Sequence, residues 1–282
     1  MIAVPTITEC VKTASQALLE HSASPRLDAE LLLAKVLGLP RSALISRGDE
    51  ALDPNHEFAY AKLVRERAAG TPVAYLTGIR EFWSMPLKVS PAVLDPRPET
   101  ECLVEQALAV MPREGICCAL DLGTGSGAIA LSLARERPHW DITAVDVSAD
   151  ALEVATDNAE SLGLTRIRWQ LSDWFEALGG KRFHLIAANP PYIAAMDPAL
   201  EALTAEPSLA LVSGPTGLEA LQVIIAASPA YLHPRGWLVL EHGMGQASDV
   251  AQLLSRYGFD SIRTHRDFSG KPRITLGVLT QH

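Results

Sequence analysis

From residue 116 onward the chain alternates between short apolar runs, which predict strands, and longer amphipathic segments, which predict helices. The predicted strands are residues 116–122, 141–146, 166–171, 183–188, 236–241, 260–266 and 273–279. The predicted helices are residues 128–136, 149–161, 217–228 and 247–256. This alternation predicts an α/β fold with a doubly wound, mostly parallel sheet of seven strands. Only a short loop joins the last two strands, so we expect that pair to be antiparallel.

The first part of the chain lacks this alternation and contains only helical patterns. Thr6 and Glu9 have the spacing of a capping box, so a first helix is expected from there to about His21. Pro25 at a helix start and Gly38 beyond its end predict a second helix over residues 25–37, and residues 41–47 predict a short third helix. Pro54 at a helix start and Gly70 beyond its end predict a fourth helix over residues 54–69. These patterns predict a small helical bundle.

The patterns divide the chain into residues 1–77, 78–96 and 97–282. The first part carries no cluster of reactive side chains, so we expect it to recognise the substrate. The second has short apolar runs interrupted by Pro86 and Pro91, which predict a β-hairpin linker. We expect the chemistry to lie in the third part, the α/β domain.

The net charge of −9 is distributed unevenly. Residues 1–80 carry nine Lys or Arg and nine Asp or Glu, so the excess negative charge lies in residues 81–282. A protein that binds a nucleic-acid backbone needs a basic face, so nucleic acid is not expected as the main substrate. No apolar run approaches the ~18 residues of a membrane span, and no signal-peptide pattern is present. The four cysteines lack metal-site spacing, so we expect a reduced, cytoplasmic protein without a metal or membrane contact.

The apolar run 183–188 stops at Asn189, Pro190, Pro191 and Tyr192. Proline cannot donate to a sheet ladder, so the strand is expected to end there. In an open α/β sheet, the carboxyl end of a strand is where ligands bind. A planar NH2 group can donate to the Asn189 side-chain oxygen and to the Pro190 carbonyl, while Tyr192 covers its flat face. The alternative is that Asn-Pro-Pro is a turn that binds nothing.

A glycine-rich turn follows the first predicted strand of the α/β domain. Glycine allows a sharp turn and lets the backbone approach a ligand without a Cβ between them. We expect a cofactor to contact this turn, which comprises Gly123, Thr124, Gly125, Ser126 and Gly127. Asp146 ends the next strand, where its carboxylate can accept both ribose hydroxyls of an adenosine. NAD and S-adenosylmethionine both contain that group, and a turn without any ligand also remains open.

Two later segments discriminate between these cofactors. Asp173 can accept the adenine amino group and Trp174 can stack on the purine, although Trp174 can equally be packing. The segment from Asn189 to Tyr192 is a clamp for which an NAD enzyme has no need. The ordered set predicts a class I methyltransferase that acts on a planar nitrogen.

Together these motifs resemble the bacterial peptide chain release factor N(5)-glutamine methyltransferases, the PrmC/HemK family, over nearly the whole chain. The resemblance is carried by Arg97-Pro-Glu-Thr-Glu101, Asp121 to Ala130, Asp173-Trp174, Asn189-Pro-Pro-Tyr192, Glu206-Pro207 and Leu240-Glu-His-Gly243. It implies that S-adenosylmethionine contacts Gly123 to Gly127, Asp146, Trp174 and Asn189. It also implies that Asn189 to Tyr192 hold the glutamine amide of the Gly-Gly-Gln motif in release factors, and that the loop from Arg97 to Glu101 lines the same cleft.

The expected catalytic residues are Asn189, Pro190 and Tyr192. Two acceptors, at Asn189 and Pro190, would draw on both N–H bonds of the amide and aim its nitrogen at the methyl group. The sulfonium is already activated, so the expected chemistry requires neither a metal nor a strong base. No base is therefore assigned to His184 or His242.

Three other functions remain open. An N(6)-adenine methyltransferase would use the same clamp on a flipped base. An NAD-binding oxidoreductase fits the glycine turn, and a binding protein without turnover fits the fold. The chain departs from the usual family residues at Asp95 and Thr204, and the second change is expected to weaken one contact at the rim of the cleft. The expected partners are release factors, and the expected state is a monomer.

Overall fold

The structure, a computed structural model, describes residues 4–280. These residues form two compact units. One contains the chain up to Ile79 together with Ala202–Ala205, and the other contains Arg80–Glu201 and the chain from Glu206 onward. Thr204 therefore belongs to the first unit.

The first unit is helical, as predicted. Its helices are α1 (Ile7–Ala17), α2 (Pro25–Leu37), α3 (Arg41–Ser46), α4 (Pro54–Ala68) and α5 (Val73–Thr77). The predicted capping box is present, because the Thr6 hydroxyl accepts from the Glu9 N–H and the Glu9 carboxylate accepts from the Thr6 N–H. The prediction that the first helix reaches His21 was wrong: α1 ends at Ala17, and residues 18–21 form a turn.

Helix α5 was not predicted from the sequence. It begins directly after Pro72 and is capped at its C-terminus by Gly78, which has the left-handed conformation with a φ of 79°. Five residues are too few for an apolar period to become visible. The core of this unit includes Ile7, Leu32 and Leu33, all buried.

Two short strands, β1 (Ile79–Phe82) and β2 (Met85–Lys88), form the predicted hairpin. Trp83 and Ser84 connect them and have φ values of 51° and 54°. Positive φ at both central residues matches the twist of a two-residue hairpin turn. Phe82, Met85 and Leu87 are buried in one apolar cluster with residues of the α/β unit. The hairpin therefore contributes to the core of that unit, beyond linking two parts of the chain.

Besides two short 3-10 helices, Pro198–Ala202 and Ser208–Ala210, the α/β unit continues through twelve α-helices and strands within the described residues. These are α6 (Pro98–Val110), β3 (Cys118–Leu122), α7 (Ala128–Glu136), β4 (Asp141–Asp146), α8 (Ala149–Leu162), β5 (Arg168–Leu171), β6 (Phe183–Ala188), α9 (Glu219–Tyr231), β7 (Leu232–Glu241), α10 (Ala247–Arg256), β8 (Phe259–Arg266) and β9 (Pro272–Leu279). The strands form one sheet in the order β5-β4-β3-β6-β7-β9-β8. The pairs from β5 to β7 are parallel, and β9 is antiparallel to both of its neighbours. The predicted antiparallel pair is thus confirmed.

Strand β7 begins at Leu232, whereas the sequence predicted a start at residue 236. The ladder with β6 jumps from the pair Phe183 and Leu232 to the pair Leu185 and Trp237. The extra residues of β7 bulge out of the ladder, and they include Pro234, which has no N–H to donate. The sequence signal for a strand is weak across such a bulge.

The register brings the carboxyl ends of the central strands to one edge. Leu122 of β3 pairs with Val145 of β4 on one side and with Ala188 of β6 on the other. Ala188 in turn pairs with Leu240 of β7. The order of connection reverses between β3 and β6, which is where an open α/β sheet forms a ligand crevice.

Candidate active site

A cavity of about 460 Å³ lies at this edge of the sheet. A volume of this size is typical of a small-molecule site. Ten of the predicted site residues line it: Gly123, Thr124, Gly125, Ser126, Asp146, Asp173, Trp174, Asn189, Pro190 and Pro191. Four others do not line it, namely Gly127, Tyr192, Arg97 and Glu101.

The glycine turn needs its glycines for two different reasons. Gly123, Gly125 and Gly127 have φ values of 71°, 53° and 84°, which strain any residue with a Cβ. A Cβ on Gly123 would lie 3.6 Å from the Trp174 ring, and no atom lies within 4 Å of the Cβ position of Gly125. A Cβ on Gly127 would instead meet the Leu131 side chain at 3.0 Å. The first two glycines thus adjoin the cavity, whereas Gly127 serves helix packing.

Asp146 reaches the cavity from the end of β4 and is held by two backbone amides. Its Oδ2 accepts from the Gly125 N–H at 2.8 Å, and its Oδ1 accepts from the Ser148 N–H at 2.9 Å. Burial raises the pKa of the Asp146 carboxyl, and the two amides act in the opposite direction. The carboxylate is therefore fixed relative to the glycine turn, with its remaining lone pairs available to hydroxyl donors.

Asp173 and Trp174 follow β5 and also line the cavity. The Asp173 side chain is exposed and has no hydrogen-bond partner among the described residues. Trp174 has a φ of 44°, unusual for a residue with a large side chain, and its ring lies over Gly123. The indole also packs against the apolar core, so one side of it serves packing and another faces the cavity.

Asn189 and Pro190 place two acceptors at the end of β6. No donor among the described residues reaches the Asn189 Oδ1 atom or the Pro190 carbonyl oxygen. The Asn189 Nδ2 group, by contrast, donates to the Thr100 Oγ1 atom at 3.0 Å. Both residues line the cavity, and neither acceptor is already engaged by the protein, so the pair can serve a planar NH2 group.

Thr100 and Glu241 complete this arrangement. Thr100 lies in the segment that the resemblance placed along the cleft, and it lines the cavity, whereas the sequence assigned Glu241 no role in the site. The Thr100 hydroxyl, near the start of α6, donates to Glu241 Oε2 at 2.8 Å. Glu241 ends β7 and is fully buried, and burial raises the pKa of its carboxyl to about 7. The available signal was a carboxylate at the end of an otherwise apolar strand, a position that burial makes costly without partners.

Tyr192 is not placed as the sequence suggested. It does not line the cavity, and its hydroxyl lies 3.5 Å from Glu241 Oε1. Its backbone carbonyl accepts from the Gln246 side chain at 3.0 Å. Burial raises the pKa of the phenol, which remains neutral in the physiological range. In this structure Tyr192 stabilises the Asn-Pro-Pro turn through its contacts with Glu241 and Gln246.

Arg97 belongs to an ionic cluster beside the cavity. Its guanidinium donates to Glu206, and it also lies 3.8 Å from Asp95, which is 3.5 Å from Arg80. Burial raises the pKa of Asp95, and the two arginines oppose that effect. The cluster joins the two segments that carry Pro96 and Pro207, both of which line the cavity. The charge of Asp95, unusual for the resembled family, is thus compensated by arginines.

Glu101 is directed elsewhere. It lies in the first turn of α6, and its Oε1 accepts from the Trp83 backbone N–H at 2.7 Å. It therefore anchors the tip of the hairpin. The sequence suggested a loop here, but the segment from Pro98 is already helical.

His184 and His242 do not line the cavity. His242 is fully buried, its Nδ1 bonds to the Gly243 carbonyl at 2.9 Å, and its Nε2 bonds to the Thr275 hydroxyl at 2.8 Å. A carbonyl can only accept, so Nδ1 carries the proton. His184 Nδ1 accepts from the Cys118 N–H at 3.0 Å. The sequence revealed no partner for His242, and the structure supplies two.

Residues 4–280 contain neither a metal-binding cluster of side chains nor a helix that could cross a membrane. No group of three His, Cys, Asp or Glu side chains in this range is arranged to hold a metal ion. In the same range, no helix is both long and apolar enough to cross a membrane.

The chain matches two family models. One, the PrmC N-terminal domain, matches residues 9–78, and the other, the methyltransferase small domain, matches residues 100–259. The matched ranges follow the change from helices alone to alternating strands and helices.

Relatives match over nearly the full length. The chain is 48% identical to the release factor glutamine methyltransferase of Salmonella typhimurium, over 93% of this chain and 95% of the relative. It is 43% identical to the protein of the same name from Coxiella burnetii, over 96% of this chain and 98% of the relative.

Solved structures show the same fold at low identity. A 16S rRNA N2 G1207 methyltransferase from T. thermophilus, solved in complex with AdoMet and guanosine, superimposes with a TM-score of 0.55 at 21% identity. The match covers 71% of this chain and 49% of that one. The α/β unit therefore has the class I methyltransferase fold predicted from the sequence.

Proposed function

The chain belongs to the release factor glutamine methyltransferase family, and from this premise we propose that it methylates the glutamine side-chain nitrogen in the Gly-Gly-Gln motif of release factors. The methyl donor is S-adenosylmethionine. The observation that carries this proposal is the pair of free acceptors, Asn189 Oδ1 and the Pro190 carbonyl, beside the glycine turn. A side-chain amide has the two N–H donors that such a pair can bind.

The cavity fits the donor on physical grounds. Asp146 presents a carboxylate, already oriented by two amides, to ribose hydroxyls. The space beside Gly125 is open, so the backbone can approach a ligand closely. Trp174 offers an aromatic surface and Asp173 an acceptor for an adenine ring. When bound, S-adenosylmethionine supplies a methyl group on a positively charged sulfur.

The chain itself acts by orienting the amide. An amide nitrogen is a poor nucleophile because its lone pair is delocalised into the carbonyl. Acceptors at Asn189 and Pro190 bind both N–H groups and raise the electron density on the nitrogen. They also hold it in one direction, and positioning of this kind contributes up to ~7–11 kcal/mol to a rate.

The roles of the other predicted residues are revised accordingly. Pro191 lines the cavity beside the clamp, and we assign it contact with the substrate. Arg97, Glu101 and Tyr192 act through the segments that they hold, because their polar groups are engaged by the protein. Gly127 acts through the packing of α7.

We assign the recognition of the intact release factor to the helical part, residues 1–77, with the hairpin at 78–96 leading into the methyltransferase domain at 97–282. The helical part is balanced in charge and carries no reactive cluster. We further propose a monomer that acts in the cytoplasm without binding nucleic acid or membranes.

Mass spectrometry of a release factor tests the proposed function. The enzyme is incubated with the factor and S-adenosylmethionine, and the peptide containing Gly-Gly-Gln is analysed after digestion. We expect the mass of one methyl group on the glutamine, and none without enzyme. An unmodified glutamine beside methylated adenine in a parallel DNA reaction would instead support the N(6)-adenine reading.

A further inference from the structure

Three side chains from separate parts of the chain form a hydrogen-bonded line that ends at the cavity. Glu241 Oε2 accepts from the Thr100 hydroxyl at 2.8 Å, and Thr100 Oγ1 accepts from Asn189 Nδ2 at 3.0 Å. Glu241 is fully buried and Thr100 is 4% exposed, so water does not compete for these bonds.

The number of hydrogens on the three groups determines which group donates in each hydrogen bond. An ionised carboxylate has no hydrogen and can only accept. The single hydrogen of the Thr100 hydroxyl therefore points to Glu241, and the Thr100 oxygen is left with lone pairs alone. Asn189 can satisfy those lone pairs only with its NH2 group, which leaves its Oδ1 atom directed away from Thr100.

This direction matters because the two ends of an asparagine amide have almost the same shape. Without a partner that discriminates, Asn189 can rotate its amide and present the NH2 group to the cavity. Two NH2 groups would then face each other, donor against donor, and the substrate nitrogen would lose one of its two bonds. A partner that can only accept from Asn189, as the Thr100 oxygen does here, excludes the orientation with the NH2 group toward the cavity.

We propose that Glu241 is a positioning residue which, through the Thr100 hydroxyl, holds the Asn189 amide in the one orientation that accepts from the substrate. This inference rests on the proposed function, since it assumes that the Asn189 oxygen meets the glutamine NH2 group. Neither Glu241 nor Thr100 needs to touch the substrate for it to operate.

A pH dependence follows from this arrangement. A protonated Glu241 can donate to Thr100, whose hydrogen is then released to point at Asn189, so the orientation is no longer unique. Burial raises the pKa of Glu241 to about 7, which puts this change in the accessible range. The charged and titratable groups that face Glu241 are Arg273 on β9, Glu99 and Cys102 on α6, Tyr192 after β6 and the adjacent His242. Turnover is therefore expected to rise as pH increases through about 7.

Substitutions at Thr100 separate the hydroxyl from the shape of the side chain. Thr100→Val keeps the shape and removes the hydroxyl, and Thr100→Ser keeps the hydroxyl. Thr143→Val is the matched control, because Thr143 is a threonine buried in β4 whose hydroxyl accepts from Arg168 and from no other residue within 4–280. Glu241→Gln keeps the size but allows either direction of the hydrogen bond.

Steady-state kinetics of the full-length variants with a release factor, at pH values on both sides of 7, test the proposal. We expect Thr100→Val to lower kcat by about tenfold to a hundredfold, the usual cost of misplacing a reacting group. KM and S-adenosylmethionine affinity by calorimetry should stay near the parent values. Thr100→Ser and Thr143→Val should resemble the parent. Glu241→Gln should lower kcat and abolish its rise with pH.

The outcomes are distinguishable. A parent enzyme that does not methylate glutamine overturns the proposed function. A parent that methylates it, together with an unchanged kcat in Thr100→Val, overturns the positioning role alone. Equal losses in Thr100→Ser and Thr100→Val would overturn it too, because the hydroxyl would not be the cause. Thermal denaturation shows whether Thr100→Val is folded. If it is not, an unchanged kcat or an intact pH profile in Glu241→Gln overturns the proposal.

Discussion

Leu122 and Ala188 are partners in the parallel register of β3 and β6, and each is the last residue of its strand. The glycine turn starts one residue after Leu122, and the Asn-Pro-Pro turn starts one residue after Ala188. The pairing therefore sets the proposed cofactor turn beside the proposed amide clamp, as transfer between the two sites requires.

Asp146→Ala is expected to abolish tight S-adenosylmethionine binding. The ribose loses charge-assisted hydrogen bonds worth about 1.5–3 kcal/mol each, and the Gly125 amide loses its partner. Isothermal calorimetry measures the affinity, and a thermal melt checks the fold. Asp150→Ala, at an exposed site nearby, is the control. Unchanged affinity in a folded Asp146→Ala protein would contradict the assignment.

Asn189→Ala is expected to lower kcat by about two to three orders of magnitude, the scale for losing one oriented polar contact at a reacting centre. Cofactor affinity should fall much less than turnover. Single-turnover rates with saturating cofactor provide the measurement. Asn189→Asp keeps the shape and one oxygen acceptor but places a carboxylate against Thr100. Rates of Asn189→Ala within a few-fold of the parent would mean that Asn-Pro-Pro is only a turn.

Asp121→Asn is expected to remove part of the pH dependence of the free energy of unfolding. Burial raises the pKa of Asp121 from its ordinary 3.8 to about 7, so the folded state holds the proton more tightly than the unfolded chain. The stability from this group is complete below about pH 4 and is lost as pH rises to about 7. In this window the free energy of unfolding of the variant, relative to that of the parent, should therefore rise by up to about 1.4 kcal/mol per pH unit. Urea unfolding at several pH values measures the difference, and a constant difference would contradict it.

Arg97→Ala is expected to destabilise the fold by about 3–5 kcal/mol, because it leaves the buried carboxylate of Glu206 without its arginine and leaves Asp95 with Arg80 alone. Arg26→Ala, which breaks an exposed pair with Glu30, should cost less than about 1 kcal/mol. Chemical denaturation compares the two. If Arg97→Ala retains parental stability and only raises KM, Arg97 contacts substrate after all.

A chain that begins near Gly78 should still bind S-adenosylmethionine, because the cavity residues all lie in the α/β unit. Its KM for an intact release factor should rise, since the helical part is proposed to recognise that substrate. Calorimetry establishes that the shortened chain is folded and binds, and kinetics then give KM. An unchanged KM would assign the helical part another role.

Most of the α/β order could be predicted because strand and helix periods are local properties of the sequence. The boundaries were least accurate where local signals are weak, as at the bulge that starts β7 and at the short helix α5. Gly125 and Asp146 line the cavity as expected, since strand ends and glycine turns meet at one edge of a parallel sheet.

The partners of the polar side chains were not predictable in the same way. The sequence grouped Arg97 and Glu101 with the cleft, but Arg97 pairs with Glu206, and Glu101 binds the Trp83 amide. Each of these bonds joins residues that are far apart along the chain, and no periodicity encodes them.

The sequence by itself determined the fold class, the glycine turn and the Asn-Pro-Pro stop, because apolar periods and backbone restrictions act within a few residues. Only the tertiary structure decided how Asn189 is oriented. Its partner Thr100 is 89 residues away in the sequence, and the carboxylate of Glu241 that directs Thr100 is 141 residues from Thr100. Their contact depends on the strand register and on the packing of α6 against β7, which arise only when the whole α/β unit is assembled.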